Sequence, residues 1–213
     1  MKLATLALLA IAANSQTLSL APSAWTLTYE GPTAIQLTAS GGGLAFAFPV
    51  FDGVTTASAN YLTTRVQTPR SAAPMISADV QVFTATGAEQ FINYFPYDPD
   101  CQAASTVRLY FEVKGMKYNS PSDRWWANPP TGAYMGAFTL TGAGGIATLS
   151  VPLIPSEWSN AQGQWGSSVP SQFAAAVKSI ARVGVTFGGC FFGHGVGVSN
   201  GTATFKITRF EVQ

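Results

Sequence analysis

Charged side chains are scarce in this sequence of 213 residues. They account for 10% of it, whereas about 25% is usual in soluble proteins, and 11 Lys and Arg oppose 10 Asp and Glu. The net charge of +1 gives no electrostatic basis for binding nucleic acid or an acidic membrane surface. Low charge does not indicate disorder here, because 12% of the residues are aromatic and can build a sizeable core.

Histidine is rarer still, since His194 is the only one. A zinc site made of several histidines is therefore excluded. The sequence also lacks a GxSxG motif, a P-loop and a GxGxxG motif, so nothing in it implies a cofactor. The ten carboxylates are scattered, whereas a glycosidase needs two that face each other across a cleft. These absences argue against an enzyme, with a glycan-active enzyme as the remaining catalytic alternative.

The first residues have the pattern of a secretion signal. Lys2 is followed by an apolar run from Leu3 to Ala13, and small residues precede Gln16 as at a cleavage site. The run is too short to span a bilayer. We expect residues 1–15 to be a signal peptide, residues 16–213 to form one domain, and the protein to be extracellular or periplasmic. The alternative is a buried N-terminal strand or helix.

Only two cysteines are present, Cys101 and Cys190, and neither has the spacing of a CxxC or metal motif. In an exported chain two thiols usually pair, so we expect a disulfide between them. Two unrelated buried thiols are the alternative.

Alternation of apolar and polar residues indicates an all-β fold. The clearest strand runs from Thr106 to Lys114, where every second residue is apolar and the others form a polar face that suits a wetted surface or a cleft. Pro170 to Ser179 is the one expected helix, because proline suits a helix start. Two further strands, Tyr134 to Leu140 and Ile146 to Leu153, are expected to form a hairpin. In the last strand the parity changes near Arg209, which indicates a β-bulge.

The end of the chain carries the motifs of a known fold. A short helix, the strand "VGVTFGG", a loop and the closing strand "GTATFKITRF" resemble carbohydrate-binding-module-like, galactose-binding-domain-like jelly rolls. The motifs "RWW.NP", "WS...G" and "TFGG.FFGHGV" are also similar to those of a group of uncharacterised secreted bacterial proteins. The resemblance implies an antiparallel two-sheet jelly-roll sandwich. It brings no established ligand, because fold alone does not fix function.

An aromatic and polar cluster is the main candidate site. Arg124, Trp125, Trp126 and Asn128 follow Tyr118, and sugars are bound by aromatic rings together with polar hydrogen-bonding groups. Neighbouring residues of a strand point to opposite faces, so at most one of the two tryptophans can face a ligand. The alternative is that both are packing residues.

Three other segments complete the candidates. His194, in a loop rich in Gly and Phe, either binds a hydroxyl or anchors the loop, and Trp158 belongs to a loop that either lines a cleft or covers the core. Jelly rolls of the resembled type often hold a structural Ca²⁺, for which Asp98 and Asp100 are candidate ligands; a solvated turn is the alternative. The loops around Trp125, Trp158 and His194 are expected to meet at one end of the sandwich or on one concave face.

The sequence thus predicts a secreted, non-catalytic, carbohydrate-binding β-sandwich whose partner is a polysaccharide or glycan. A different class remains open: a structural or adhesive subunit of a filament, matrix or virion surface that forms homo-oligomers. Low charge, abundant Gly, Ser and Thr, and a single domain are typical of such subunits.

Overall fold

The computed structural model describes residues 15–51, 57–67, 74–93, 103–130, 132–189 and 195–213, with the side chain of Ala143 left out. This part of the chain forms fifteen strands and one α-helix. They are β1 Gln16–Thr17, β2 Trp25–Glu30, β3 Thr38–Ser40, β4 Gly43–Ala47, β5 Ser58–Arg65, β6 Met75–Thr84, β7 Gln90–Asn93, β8 Thr106–Val113, β9 Arg124–Ala127, β10 Ala137–Thr139, β11 Ala143–Pro152, β12 Trp158–Asn160, α1 Pro170–Val177, β13 Ile180–Gly188, β14 Val196–Ser199 and β15 Ala203–Val212. No helix in this part is long and apolar enough to cross a membrane.

The strands form two antiparallel sheets. The first sheet has the order β11-β6-β15-β4-β3, with β1 added to β15. The second sheet has the order β12-β9-β8-β13-β5-β14-β7, with β10 added to β8 and β2 to β5. Successive long strands alternate between the sheets. Four strands of the first sheet, in the order β11-β6-β15-β4, therefore face four strands of the second sheet, in the order β9-β8-β13-β5. This double Greek-key order is that of a jelly roll, which confirms the predicted fold class.

The core lies between the two sheets and is strongly aromatic. Phe46, Phe48, Phe187 and Phe205 pack with ring centroids 4.8 to 6.3 Å apart. Most of these pairs meet edge to face, the arrangement that the charge distribution of aromatic rings favours. Their burial requires every second residue of the contributing strands to be apolar, which is the pattern seen in the sequence.

The predicted helix is present, and it closes one end of the sandwich. Pro170 occupies its first turn, where the missing N–H group leaves no hydrogen bond unmade. Phe173 and Ala176 are buried, and the Phe173 ring meets that of Trp125 edge to face with centroids 5.0 Å apart. The helix therefore covers the part of the core from which β9 begins.

The expected bulge in β15 is also present. The register with β6 shifts between Ile207 and Arg209, so that Thr208 is the extra residue. The shift returns Phe210 and Val212 to the core face, where both are buried.

The expected hairpin of residues 134–140 with residues 146–153 is reduced to one antiparallel bridge, in which the Ser150 N–H donates to the Met135 carbonyl oxygen at 3.1 Å. β10 pairs with β8 in the second sheet, whereas β11 pairs with β6 in the first. The reason lies in the unpaired edge of β8. Because β9 covers only Tyr110 to Glu112, the backbone groups of residues 106–108 need another partner, and β10 supplies it.

Candidate functional site

The outer face of the second sheet is polar, and we call it the polar face. Val107, Leu109 and Phe111 of β8 point into the core, so Arg108, Tyr110 and Glu112 point outward. The same parity holds in the paired strands. The residues that join β8 on the polar face are Thr26 and Thr28 of β2, Tyr61, Thr63 and Arg65 of β5, Arg124 and Trp126 of β9, and Arg182 and Thr186 of β13.

An aromatic row crosses the polar face. The Tyr61 and Tyr110 rings have centroids 5.3 Å apart, and the Tyr110 and Trp126 rings have centroids 5.2 Å apart. Tyr110 and Trp126 are direct cross-strand partners, a position in which aromatic pairs stabilise a sheet. Gly184 of β13 lies between Thr63 of β5 and Tyr110 of β8. Because glycine has no side chain, nothing projects from the polar face at that position.

Arg124 connects this row to an exposed tyrosine. Its guanidinium carbon lies 5.0 Å from the centroid of the Tyr118 ring and 5.6 Å from that of Trp126, in the range of cation–π contacts. Its Nη2 also donates to the Tyr118 carbonyl oxygen at 3.1 Å. Tyr118 as a residue is 75% exposed, so its ring is available to stack against a ligand.

The loop that carries Tyr118 is held in place by Asp123. One carboxylate oxygen accepts from the backbone N–H of Lys117 at 2.9 Å, and the other accepts from the Ser120 hydroxyl at 2.8 Å. A short 3₁₀ helix, Pro121–Asp123, then leads directly into Arg124. Tyr118 and Arg124 are therefore positioned by a closed loop of hydrogen bonds.

Glu112 and Arg182 form the opposite wall. The Tyr110 hydroxyl donates to Glu112 Oε2 at 3.0 Å. Arg182 Nε lies 3.5 Å from Glu112 Oε1, which is an ion pair but lacks the geometry of a hydrogen bond. Arg182 Nη2 donates instead to the Thr26 hydroxyl at 3.1 Å.

These side chains enclose a cleft of about 120 Å³ on the polar face. Its lining residues are Thr26, Thr28, Tyr61, Thr63, Tyr110, Glu112, Met116, Tyr118, Arg124 and Arg182. Burial raises the pKa of Tyr61 and of Tyr110, although the positive charge of Arg124 opposes the shift in both. Both phenols therefore stay neutral at ordinary pH and can donate as well as accept hydrogen bonds.

The structure brings only some of the residues expected from sequence to this cleft. Tyr118 and Arg124 line it. Trp126 lies on the same face against Arg124 and Tyr110, but it is 1% exposed and does not line the cleft. Trp125 and Trp158 are fully buried on the core face.

Hydrogen bonds inside the fold explain why these other residues stay away from the cleft. The indole N–H of Trp125 donates to the Ser122 carbonyl and that of Trp158 to the Pro152 carbonyl, each at 2.8 Å. Asn128 is buried and accepts from the Ser159 hydroxyl at 2.9 Å. Trp125, Trp158 and Asn128 therefore serve packing in this structure and do not line the cleft.

The remaining expected residues lie outside the described part of the chain. They are His194, the calcium candidates Asp98 and Asp100, and the cysteines Cys101 and Cys190. The disulfide and the calcium site therefore stay predictions. Within the described residues, no group of three or more His, Cys, Asp or Glu side chains is placed to hold a metal ion.

Sequence reasoning missed six of the ten residues that line the cleft. Tyr61, Thr26 and Arg182 come from strands that are distant in sequence and were not singled out. Only the polar face of residues 106–114 gave a signal, because its alternation of charged and aromatic residues is unusual for a purely solvated face. The same parity, applied to β2 and β5, would have placed Thr26 and Tyr61 on an outer face.

A larger cavity, of about 780 Å³, lies beside β3 and β4. Its lining is mainly apolar, with Ile35, Phe46, Phe48 and Val50 among the contributing residues. It also lacks charged groups among the described lining residues, whereas the smaller cleft on the polar face combines rings, hydroxyls and charges. For this reason the smaller cleft is the candidate site.

The known proteins to which this chain is similar are carbohydrate-binding modules, and their sequence identity to it is low. No family model and no curated protein matches the chain. Among solved structures, the xylan-binding module CBM15 is 13% identical with a TM-score of 0.41, over 91% of this chain and 95% of that one. The family 11 carbohydrate-binding module from Clostridium thermocellum, in complex with a β-1,3-1,4-mixed-linked tetrasaccharide, is 10% identical with a TM-score of 0.46, over 93% and 94%. A solution structure of CtCBM11 is 11% identical with a TM-score of 0.44, over 95% and 96%. Structural similarity this low concerns the backbone fold and carries no information about the ligand.

Proposed function

We propose that the protein binds carbohydrate, without catalysing a reaction on it, in the cleft on the polar face. The observation that carries the proposal is the exposed Tyr118 ring, held by Arg124 at the mouth of a cleft lined by further tyrosines. An aromatic ring offers an apolar surface to the C–H face of a sugar, and the polar groups beside it fix the orientation of the ligand.

The polar groups of the cleft suit sugar hydroxyls. Thr26, Thr28 and Thr63 present hydroxyls that both donate and accept, Arg124 and Arg182 only donate, and Glu112 only accepts. A hydroxyl group of a sugar also donates and accepts, so it can pair with each of these. Aromatic side chains with a few convergent polar groups are the usual lining of a small-molecule site.

The charge composition favours binding over hydrolysis. Retaining and inverting glycosidases use two carboxylates that flank the scissile bond. Of the described residues that line the cleft, Glu112 alone carries a carboxylate, and it is engaged by Tyr110 and Arg182. This composition supports a binding module.

The N-terminal pattern supports export of the mature domain. Lys2, the apolar run that follows it and the small residues before Gln16 have the order of a secretory signal. We propose that the sugar-binding domain works outside the cytoplasm, where polysaccharides are accessible.

Polysaccharide pull-down and titration calorimetry with Tyr118→Ala test the proposal. Because the side chain is exposed, its removal should leave the fold intact and weaken glycan binding by roughly three- to tenfold. Phe83→Ala is the matched control, since Phe83 is 42% exposed on the outer face of the first sheet, and it should bind as the wild type does.

Two results would overturn the proposal. One is a wild-type protein that binds no polysaccharide on a broad array, and the other is equal binding by the two variants. Ordered oligomers in light scattering, together with no glycan binding, would instead favour the structural or adhesive subunit.

A further inference from the structure

The polar face carries an excess of positive charge that the fold does not balance. Arg182, Glu112 and Arg124 are direct neighbours in one cross-strand row, and Arg65 pairs with Arg182 at the end of it. Four strands about 4.8 Å apart make this row about 14 Å long. Three guanidinium groups and one carboxylate therefore share one row, and Arg65 and Arg182 stand directly opposite each other, an arrangement that is unfavourable between like charges.

Glu112 neutralises only one of these cations. Its carboxylate is 3.5 Å from Arg182 Nε and accepts from the Tyr110 hydroxyl. Arg124 forms no ion pair with any described residue, although its Nε is buried and lacks a hydrogen-bond partner in that part of the chain. Its contacts are instead the Tyr118 carbonyl oxygen, the Tyr61 hydroxyl and two aromatic rings.

A second uncompensated cation lies in the next row. Arg108 is the cross-strand partner of Thr186, and its Nε is likewise buried without a hydrogen-bond partner among the described residues. Burial lowers the pKa of Arg108, because removing a charged group from water is unfavourable unless an opposite charge compensates. The polar face therefore holds guanidinium groups in positions that an anion would stabilise.

We propose that the ligand of the cleft is an acidic polysaccharide whose uronic acid carboxylates pair with Arg124 and its neighbouring cations. This inference rests on the proposed carbohydrate binding and specifies its substrate class. The planar guanidinium fork matches the geometry of a carboxylate. Tyr118, stacked beside Arg124, is placed to contact the sugar ring that bears the carboxylate. Neither a free carboxylate nor a neutral sugar would use both features.

Binding of polygalacturonate and of alginate, compared with fully methyl-esterified polygalacturonate, tests the inference with the full chain. Esterification removes the charge and keeps the sugar backbone. We expect at least one of the two acidic polymers to bind tenfold or more tightly than the ester, and the difference to shrink as salt is added, because salt screens exposed charges.

Two variants of the cleft and one control sharpen the test. Arg124→Met keeps the apolar stem and removes the charge, so it should lose roughly tenfold or more in affinity for the acidic polymer. Lys206→Met removes one positive charge from the outer face of the first sheet and should change little. Glu112→Gln should bind the acidic polymer more tightly, because it removes a negative charge from the cleft, whereas a purely structural role of Glu112 would give weaker binding.

The outcomes separate the inference from the proposed function. Equal binding of the acidic polymer and its ester would overturn the acidic specificity and leave carbohydrate binding intact. Equal binding of dextran sulfate and uronates, or equal losses in Arg124→Met and Lys206→Met, would show mere attraction of polyanions and overturn it too. Weaker binding by Glu112→Gln would contradict it even where Arg124→Met fails to fold. Binding of no glycan at all would overturn the proposed function itself.

Discussion

Gly184, which lies between Thr63 and Tyr110 in the second sheet, gives the sharpest prediction about stability. A Cβ atom added there would lie 2.0 Å from the Leu62 carbonyl oxygen and 2.8 Å from Thr63 Cα, both in the backbone of the neighbouring strand β5. Backbone atoms cannot rotate away as a side chain does, so Gly184→Ala must separate β13 from β5. Overpacking of this kind costs about 1–3 kcal/mol.

One effect opposes this cost. Replacing glycine by alanine reduces the conformational freedom of the unfolded chain, which stabilises a protein by about 0.4–1 kcal/mol where the native backbone allows it. The steric cost is larger, so we expect Gly184→Ala to lose about 1–2 kcal/mol of unfolding free energy. With a slope of about 2 kcal/mol per molar urea, the midpoint of unfolding falls by roughly 0.5–1 M.

Gly145→Ala is the matched control. Gly145 lies in β11, and a Cβ atom added there would meet no atom within 4 Å. Its midpoint should therefore equal or slightly exceed that of the wild type. If the two variants unfold at the same urea concentration, the close approach of β13 and β5 is not a constraint on the fold, and the reasoning is refuted.

Three further predictions concern other parts of the chain. Hydrogen bonds from Arg209, and secondarily from Thr148, outweigh burial and hold the pKa of Asp79 below its ordinary value of 3.8. The stabilisation is therefore present above that pH and is lost as the pH falls through the lowered pKa. The thermal stability of the wild type should approach that of Asp79→Asn only as the pH falls below about 4, and a constant gap would contradict this. Cys101 and Cys190 should form a disulfide that closes a loop of about 90 residues and contributes roughly 4 kcal/mol; two reactive thiols in the denatured, unreduced protein would exclude it. The exported protein should begin at Gln16, which N-terminal sequencing checks, and an intact Met1 would refute the signal peptide.

Part of the fold was readable from local patterns. The alternation from Thr106 onward predicted β8 almost to the residue, and Pro170 marked the start of α1. The parity change near Arg209 predicted the bulge, because Phe205, Ile207, Phe210 and Val212 can all face the core only if one residue is extra. These features depend on backbone geometry over a few residues, so a single segment contains the information.

The pairing of strands could not be predicted from such local patterns. The glycines at 142–145 suggested a hairpin, yet the strands before and after them belong to different sheets. What decided the pairing was the unsatisfied edge of β8, a property of the assembled sheet. The choice between Trp125 and Trp126 has the same origin. Parity states that they face opposite sides of the sheet, and the pairing of Trp125 with Phe111 determines which one faces the core, although both are buried.

By itself, the sequence determined the class of the fold, the position of helix α1, the polar face of β8 and the opposite orientation of the two tryptophans, because each follows from the period of side chains along one strand or helix. Only the tertiary structure decided that Tyr61, Arg124 and Arg182 surround one cleft, since they come from three strands of different regions of the chain. Which strands become neighbours depends on the burial of a common core and on the completion of backbone hydrogen bonds across the sheet. Neither can be deduced from the sequence of any one segment.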